Sequence, residues 1–153
     1  MKIMFLCTDN FTRSVTAELC LRHYLKARDR QDIDCASSGT HANSDVSGLF
    51  RDHFERMTEL GIDISPFRRL QFEASFLREY DVVVAMAAEH RSHVRGKFNA
   101  PIPLFDEIYK GEDTSVDIKG VDPKRVREAL RGVVDYIDGA IPDFLKSVAR
   151  FGQ

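Results

Sequence analysis

The chain is short of cysteine, lacks tryptophan entirely and carries no excess charge of either sign. Its three cysteines, Cys7, Cys20 and Cys35, form neither an even set nor a metal-type spacing, which argues against a disulfide framework and against a metal site, and for a reducing, cytoplasmic setting. Twenty-two basic residues against 24 acidic ones give a net charge of -2, so the basic footprint of a nucleic-acid binder is missing. No apolar run reaches the roughly 18 residues that would suggest a membrane span. The opening "MKIMFLCTDN" turns polar too early for a secretory segment, so the mature chain is expected to begin at Met1. Neither a membrane nor a cofactor is expected.

No internal repeat, low-complexity stretch or linker interrupts the sequence, and glycines and prolines lie singly between periodic segments. With 43% apolar and 30% charged residues, the composition predicts one globular domain spanning 1–153.

"IMFLC" is a nearly continuous apolar run of the kind found in strands buried on both faces. The spacing predicts a helix from Ser14 to about Arg28, then a second strand over "DIDCASSG", which completes one parallel crossover unit. Leu49, Phe50, Phe54, Met57 and Leu60 predict a helix over 47–60 that ends at Gly61. "YDVVVAM" reads as a third strand, residues 88–97 as a helix, and "APIPLFDEI" as a last, edge strand in spite of its prolines. A long closing helix follows Pro123, with a kink expected at Pro142. This alternation predicts an α/β three-layer sandwich: a four-stranded parallel sheet, order 2-1-3-4, with helices on both faces. Ligands of such sheets bind beyond the carboxyl ends of strands, where Cys7 lies.

The stretch "CTDNFTRS" places a thiol at a strand end and a guanidinium six residues later, at the start of a helix. Unpaired backbone N–H groups and the positive end of the helix dipole both favour a thiolate at Cys7. The same N–H groups, from Thr8, Asp9, Asn10, Phe11 and Thr12, together with the Arg13 fork would hold a tetrahedral dianion. A nucleophile beside an anion cradle points to attack on phosphorus and a phosphocysteine intermediate. Ser14 is placed to hydrogen-bond the sulfur, and Asn10 to bond the loop backbone in a left-handed conformation. Cysteines followed by arginine at this spacing also arise by chance; the position between a predicted strand and helix gives the motif its weight.

With these residues the sequence resembles the low-molecular-weight protein tyrosine phosphatases. The likeness continues through "SSGTHA" (37 to 42), "LGIDIS" (60 to 65), Arg69, "YDVVVAM" (80 to 86) and the Asp122-Pro123 pair. The resemblance implies that Cys7 is the nucleophile, Arg13 the phosphate ligand and Asp122 the general acid, with Asn10, Ser14 and Ser37 shaping the loop. Asp117 and Asp113, in the same segment as Asp122, are the alternative acids. It also implies a phosphorylated protein or a small aryl phosphate as substrate, no metal, and a monomer or weak dimer.

The chain departs from that family at several positions. Asp9 stands where glycine is usual, Thr12 where many members have a second cysteine, and Val15 where proline starts the helix. Pro66 replaces a supporting histidine and Ala87 a supporting aspartate, so support for the loop is expected to be thinner. Asn43 and Lys124-Arg125 replace aromatic substrate walls, which leaves Phe11 as the loop side chain bulky enough to line an aryl group. Phe11 also stands where the arginine-phosphate branch of the family has threonine. Two rival functions are weighed. A thioredoxin-coupled arsenate reductase needs relay cysteines beyond residue 70, and there are none. A phosphate-binding regulator that has lost turnover is motivated by Asp9, Pro66 and Ala87.

Overall fold

In the computed structural model, which describes residues 1–152, strand β1 (Lys2–Cys7) lies between β2 (Asp34–Gly39) and β3 (Val82–Ala85) in a parallel sheet. Pairing runs from Lys2 opposite Asp34 to Cys7 opposite Gly39 on one side, and from Ile3 opposite Val82 to Leu6 opposite Ala85 on the other. A central parallel strand has no wet face, so its apolar residues divide between two cores by the twofold alternation of strand side chains. Ile3, Phe5 and Cys7 point into one core and Met4 and Leu6 into the other.

Helices α1 (Arg13–Ala27), α2 (Asp52–Glu59), α5 (Phe105–Lys110) and α6 (Val126–Ser147) pack the first core. There Phe5, Phe105 and Phe144 meet with ring centroids 5.0–6.4 Å apart. The short α3 (Phe76–Glu79) and α4 (Ala88–Phe98) cover the opposite face through Phe76 and Val94. The three layers expected from the sequence are present.

The expected fourth strand does not form. Residues 101–104 make a single parallel bridge, Ala85 to Leu104, in which the Ala85 N–H donates to the Pro103 carbonyl at 2.9 Å. Pro101 and Pro103 have no N–H to return, so the ladder cannot extend. The sheet order is therefore 2-1-3 among the described residues, and the end of the same apolar stretch becomes α5, with Phe105 and Ile108 buried. The helix expected over 47–60 begins only at Asp52, which leaves Leu49 and Phe50 outside it and exposed. Pro142 lies within α6 without ending it. The bond it forfeits is offset by the burial of Ile141 and Phe144 on either side.

Candidate active site

The five residues between β1 and α1 form a tight loop around the carboxyl end of the central strand. Asn10 adopts a left-handed conformation, φ 52°, which asparagine tolerates better than most residues, and its side chain is fully buried. Asp9 is not left-handed, so the glycine expected there is not required by the backbone. Among the described residues, no main-chain carbonyl accepts from the N–H groups of residues 8 to 13. No side chain caps α1, and its first turn holds no acid, so the helix presents an uncompensated positive end to the loop.

A directed chain of hydrogen bonds leads to Cys7. The Leu70 N–H donates to Asn10 Oδ1 at 2.7 Å, which fixes the amide so that Nδ2 faces Ser14 Oγ at 3.0 Å and Ser37 Oγ at 2.9 Å. Ser37 in turn donates to Glu18 Oε1 at 2.7 Å; an ionised carboxylate can only accept, which sets the direction. Ser14 Oγ, already accepting from Asn10, lies 2.9 Å from Cys7 Sγ and 3.3 Å from the Ser38 carbonyl. Its single proton therefore has two destinations. With Cys7 protonated, the thiol donates to Ser14 and Ser14 to Ser38; with Cys7 ionised, Ser14 turns its O–H onto the sulfur and stabilises the charge.

The rim is held from two other elements. His90, on α4, accepts the Ala87 N–H at Nδ1 (3.1 Å), which puts its proton on Nε2, 3.0 Å from Thr8 Oγ1. Burial, followed by the nearby Arg13 charge, pushes His90 down to about 3, so the ring is neutral at ordinary pH. Arg69 clamps the far side: Nε donates to the Asp9 carbonyl at 2.9 Å, and the two terminal nitrogens to Ser44 O and Oγ at 2.7 and 2.8 Å. Ser44 Oγ donates to the Asp9 carboxylate at 2.6 Å, which gives that charge a partner. Beneath the loop, a Cβ on Gly39 would meet the Thr8 carbonyl oxygen at 2.5 Å and Asn10 N at 2.8 Å, so only glycine fits.

Arg13 donates from Nη1 to Glu89 Oε1 and to the Val116 carbonyl, each at 3.3 Å. Glu89 also lies 3.5 Å from Lys119, and so links Arg13 to the segment between α5 and α6. A cavity of about 440 Å³ opens here, with Cys7, Asp9, Thr12 and Arg13 along the loop side and Leu49, Phe50, Glu89, Asp117 and Ile118 around it. Asp117 is thus the aspartate of that segment on the cavity wall. Asp122 accepts the Lys124 N–H at 3.0 Å and caps the turn over Pro123–Arg125. A larger groove of about 770 Å³ along Arg22, Lys26 and Cys35 includes neither Cys7 nor Arg13.

Residues 2–153 match the sequence profile of the low molecular weight phosphotyrosine protein phosphatases. The chain belongs to that family. Its members are cysteine-dependent phosphatases, and solved structures agree in fold. A low molecular weight protein tyrosine phosphatase from T. tengcongensis is 26% identical, with a TM-score of 0.79 over 95% of this chain and 98% of that one. A YwlE mutant from Bacillus subtilis is 20% identical, TM-score 0.81, over 97% and 99% of the two chains. A low molecular weight protein tyrosine phosphatase from Bacillus subtilis is 18% identical, TM-score 0.78, over 98% of each. No curated protein sequence matches.

As a phosphatase of this family the chain supplies its loop support differently from expectation. Glu18, on the buried face of α1, has a partner: Arg22 Nε donates to it at 2.7 Å while Nη2 donates to the Cys35 carbonyl. Ala87 carries no carboxylate, and its N–H is taken instead by His90. Phe11 does not line the cavity as expected. It is 1% exposed and packs edge-on against His53, Phe54 and Phe67, because the loop turns its apolar side chain into the first core. Cys20 and Cys35 are buried, and burial raises both thiols, Cys35 to about 12. Glu18, His90 and Phe50 are absent from the sequence-based site. A charged residue on the buried stripe of α1 was a readable sign for Glu18; nothing in the spacing singled out the other two.

Proposed function

We propose that this phosphatase hydrolyses phosphomonoesters, phosphotyrosine of proteins or small aryl phosphates, through a phosphocysteine on Cys7. The N–H groups of residues 8 to 13 and the Arg13 guanidinium bind the phosphoryl oxygens, with Thr8 adding its hydroxyl, since His90 already donates to that oxygen. The Cys7 thiolate attacks phosphorus, the phosphorus–oxygen bond to the leaving group breaks, and a carboxylic acid passes its proton to the departing oxygen. That carboxylate then takes a proton from water as the water attacks phosphorus. The phosphorus–sulfur bond breaks, and Ser14 receives the returning thiolate with its O–H.

The acid belongs to the segment between α5 and α6. Asp122, in the Asp-Pro pair before the last helix, is the residue the family position indicates. One observation favours Asp117 as a second reading: it lines the cavity with Cys7 and Arg13. The whole chain, 1–153, acts as one domain in this account, and its three unpaired cysteines suit a reducing cytoplasm.

The observation that carries the proposal is the set of bonds that ends at the sulfur: the Leu70 N–H fixes the Asn10 amide, Asn10 Nδ2 donates to Ser37 Oγ, itself tied to Glu18, and to Ser14 Oγ, and Ser14 Oγ lies 2.9 Å from Cys7 Sγ, a placement an inert core thiol does not need. The test is turnover of p-nitrophenyl phosphate by the wild type and by Cys7→Ser, with phosphate binding measured on both. Turnover should fall by at least about 10⁴-fold in the variant. Equal turnover in both would remove Cys7 as nucleophile. Phosphate binding without turnover in the wild type would make the protein a binding regulator.

A further inference from the structure

Among the described residues, the large apolar side chains left exposed are Met1, Leu49 and Phe50, and the last two both line the cavity that opens on Cys7. Leu49 is 45% and Phe50 49% exposed. Isolated exposed apolar residues are ordinary on protein surfaces. Two adjacent ones beside a candidate nucleophile are not explained that way, since burying them in the neighbouring core would have been favourable.

The chain also holds Phe50 in place. Arg127 sets its guanidinium 5.3 Å from the Phe50 ring centroid, and its Nε bonds both carboxylate oxygens of Asp52, at 3.0 and 3.2 Å. Asp52 is buried at the start of α2, so the cation over the ring is anchored to the fold. Ile118, Val126 and Leu130 continue the apolar lining. The carboxylates nearest the loop have partners already: Asp9 has Ser44, and Glu89 has Arg13 and Lys119.

Resting on the phosphatase reading above, we infer that Phe50, backed by Leu49, is the wall against which the leaving group of the substrate packs, and that it selects esters of aromatic alcohols over alkyl ones. A phosphorylated phenol bound at Cys7 places a flat, rigid ring directly beside the phosphoryl group, where it covers Phe50 and the apolar lining together. A serine-like alkyl phosphate leaves that wall wet. Asn43 and Lys124-Arg125 offer no aromatic surface, and Phe50, on the same segment between β2 and α2 as Asn43, supplies one.

The test is calorimetric titration with benzylphosphonate, methylphosphonate and inorganic phosphate, none of which is turned over. The wild type should bind benzylphosphonate several-fold more tightly than methylphosphonate. Phe50→Ala should weaken benzylphosphonate by about 3- to 10-fold, leave the other two unchanged, and be reversed in Phe50→Tyr. Equal affinity of the wild type for the two phosphonates overturns the inference, as does a Phe50→Ala loss that is absent or shared by all three anions. These readouts do not depend on turnover, so a failure of hydrolysis at Cys7 would sink the phosphatase reading and leave this one to be judged by binding.

Discussion

The two loops that meet at the cavity are built on opposite plans. The loop of residues 8–12 sits against the core, with Asn10, Phe11 and Ser14 nearly or fully buried and with side-chain bonds from β2, from the segment at Arg69 and Leu70, and from α4. The segment between α5 and α6 is mostly exposed, and both its aspartates of interest, Asp117 and Asp122, are bonded to main-chain N–H groups two residues on. A dianion binder gains from dipoles fixed before the ligand arrives, because nothing then has to reorganise during the reaction. A proton donor must follow the leaving group and meet water afterwards, so local bonding and exposure suit it.

The comparison is tested most severely on the exposed segment. Asp122→Asn should lower kcat by roughly 10²–10⁴-fold, and less for an activated aryl phosphate whose leaving group needs little protonation. If Asp117→Asn carries that loss instead, the cavity wall outranks the Asp-Pro position. Either way phosphate affinity should hardly change, because the acid plays no part in the cradle.

On the buried side, Gly39→Ala should cost about 1–3 kcal/mol, since the added methyl meets backbone of Thr8 and Asn10 that cannot move aside. Denaturant unfolding would register the loss of stability, and phosphate titration a matching loss of affinity. Unaltered affinity would show that the loop is less rigid than its bonds imply.

The two histidines packed against this loop give it a pH dependence. Burial holds His53 down at about 4, where Nε2 donates to the Phe11 carbonyl at 2.9 Å, and His90 sits at about 3. A group depressed in the folded state takes up its proton mainly in the unfolded chain. Stability from these residues is therefore complete above about pH 6.5 and declines as pH falls toward 4. Between pH 7 and 5 each should account for about 2 kcal/mol, read as a shift of the urea midpoint. His53→Gln should remove its share; a wild-type midpoint that does not fall over this range would mean the rings are charged in place.

The smallest effect is expected at Asp9. Its carboxylate lines the cavity but is bonded to Ser44, so Asp9→Gly should raise phosphate affinity and turnover only a few-fold. A decrease would assign the Asp9–Ser44 bond a part in holding the loop.

Much of this was legible from residue order. "IMFLC" followed by a helical stripe specifies a buried parallel strand and its crossover, and Cys7 and Arg13 fall at the ends that matter. The expectations that fail do so for separate reasons. Leu49 and Phe50 continue an apolar spacing that also fits α2, and "PIPL" has the hydrophobicity of a strand without its donors. The expectation that Phe11 lines the cavity treats a loop side chain as facing the ligand, whereas here it turns inward onto Phe54.

Local order by itself determined most of the elements and the places of Cys7 and Arg13, because strand and helix periods, turn residues and the spacing from Cys7 to Arg13 are properties of neighbours in the chain. Tertiary structure alone decided which groups surround them: Glu18 on Ser37, His90 on Thr8 and Phe50 on the cavity wall. Those contacts join residues that neighbour one another only after the sheet and helices have packed, and a hydrogen bond or a stacked ring depends on distance in space, of which sequence separation carries no record.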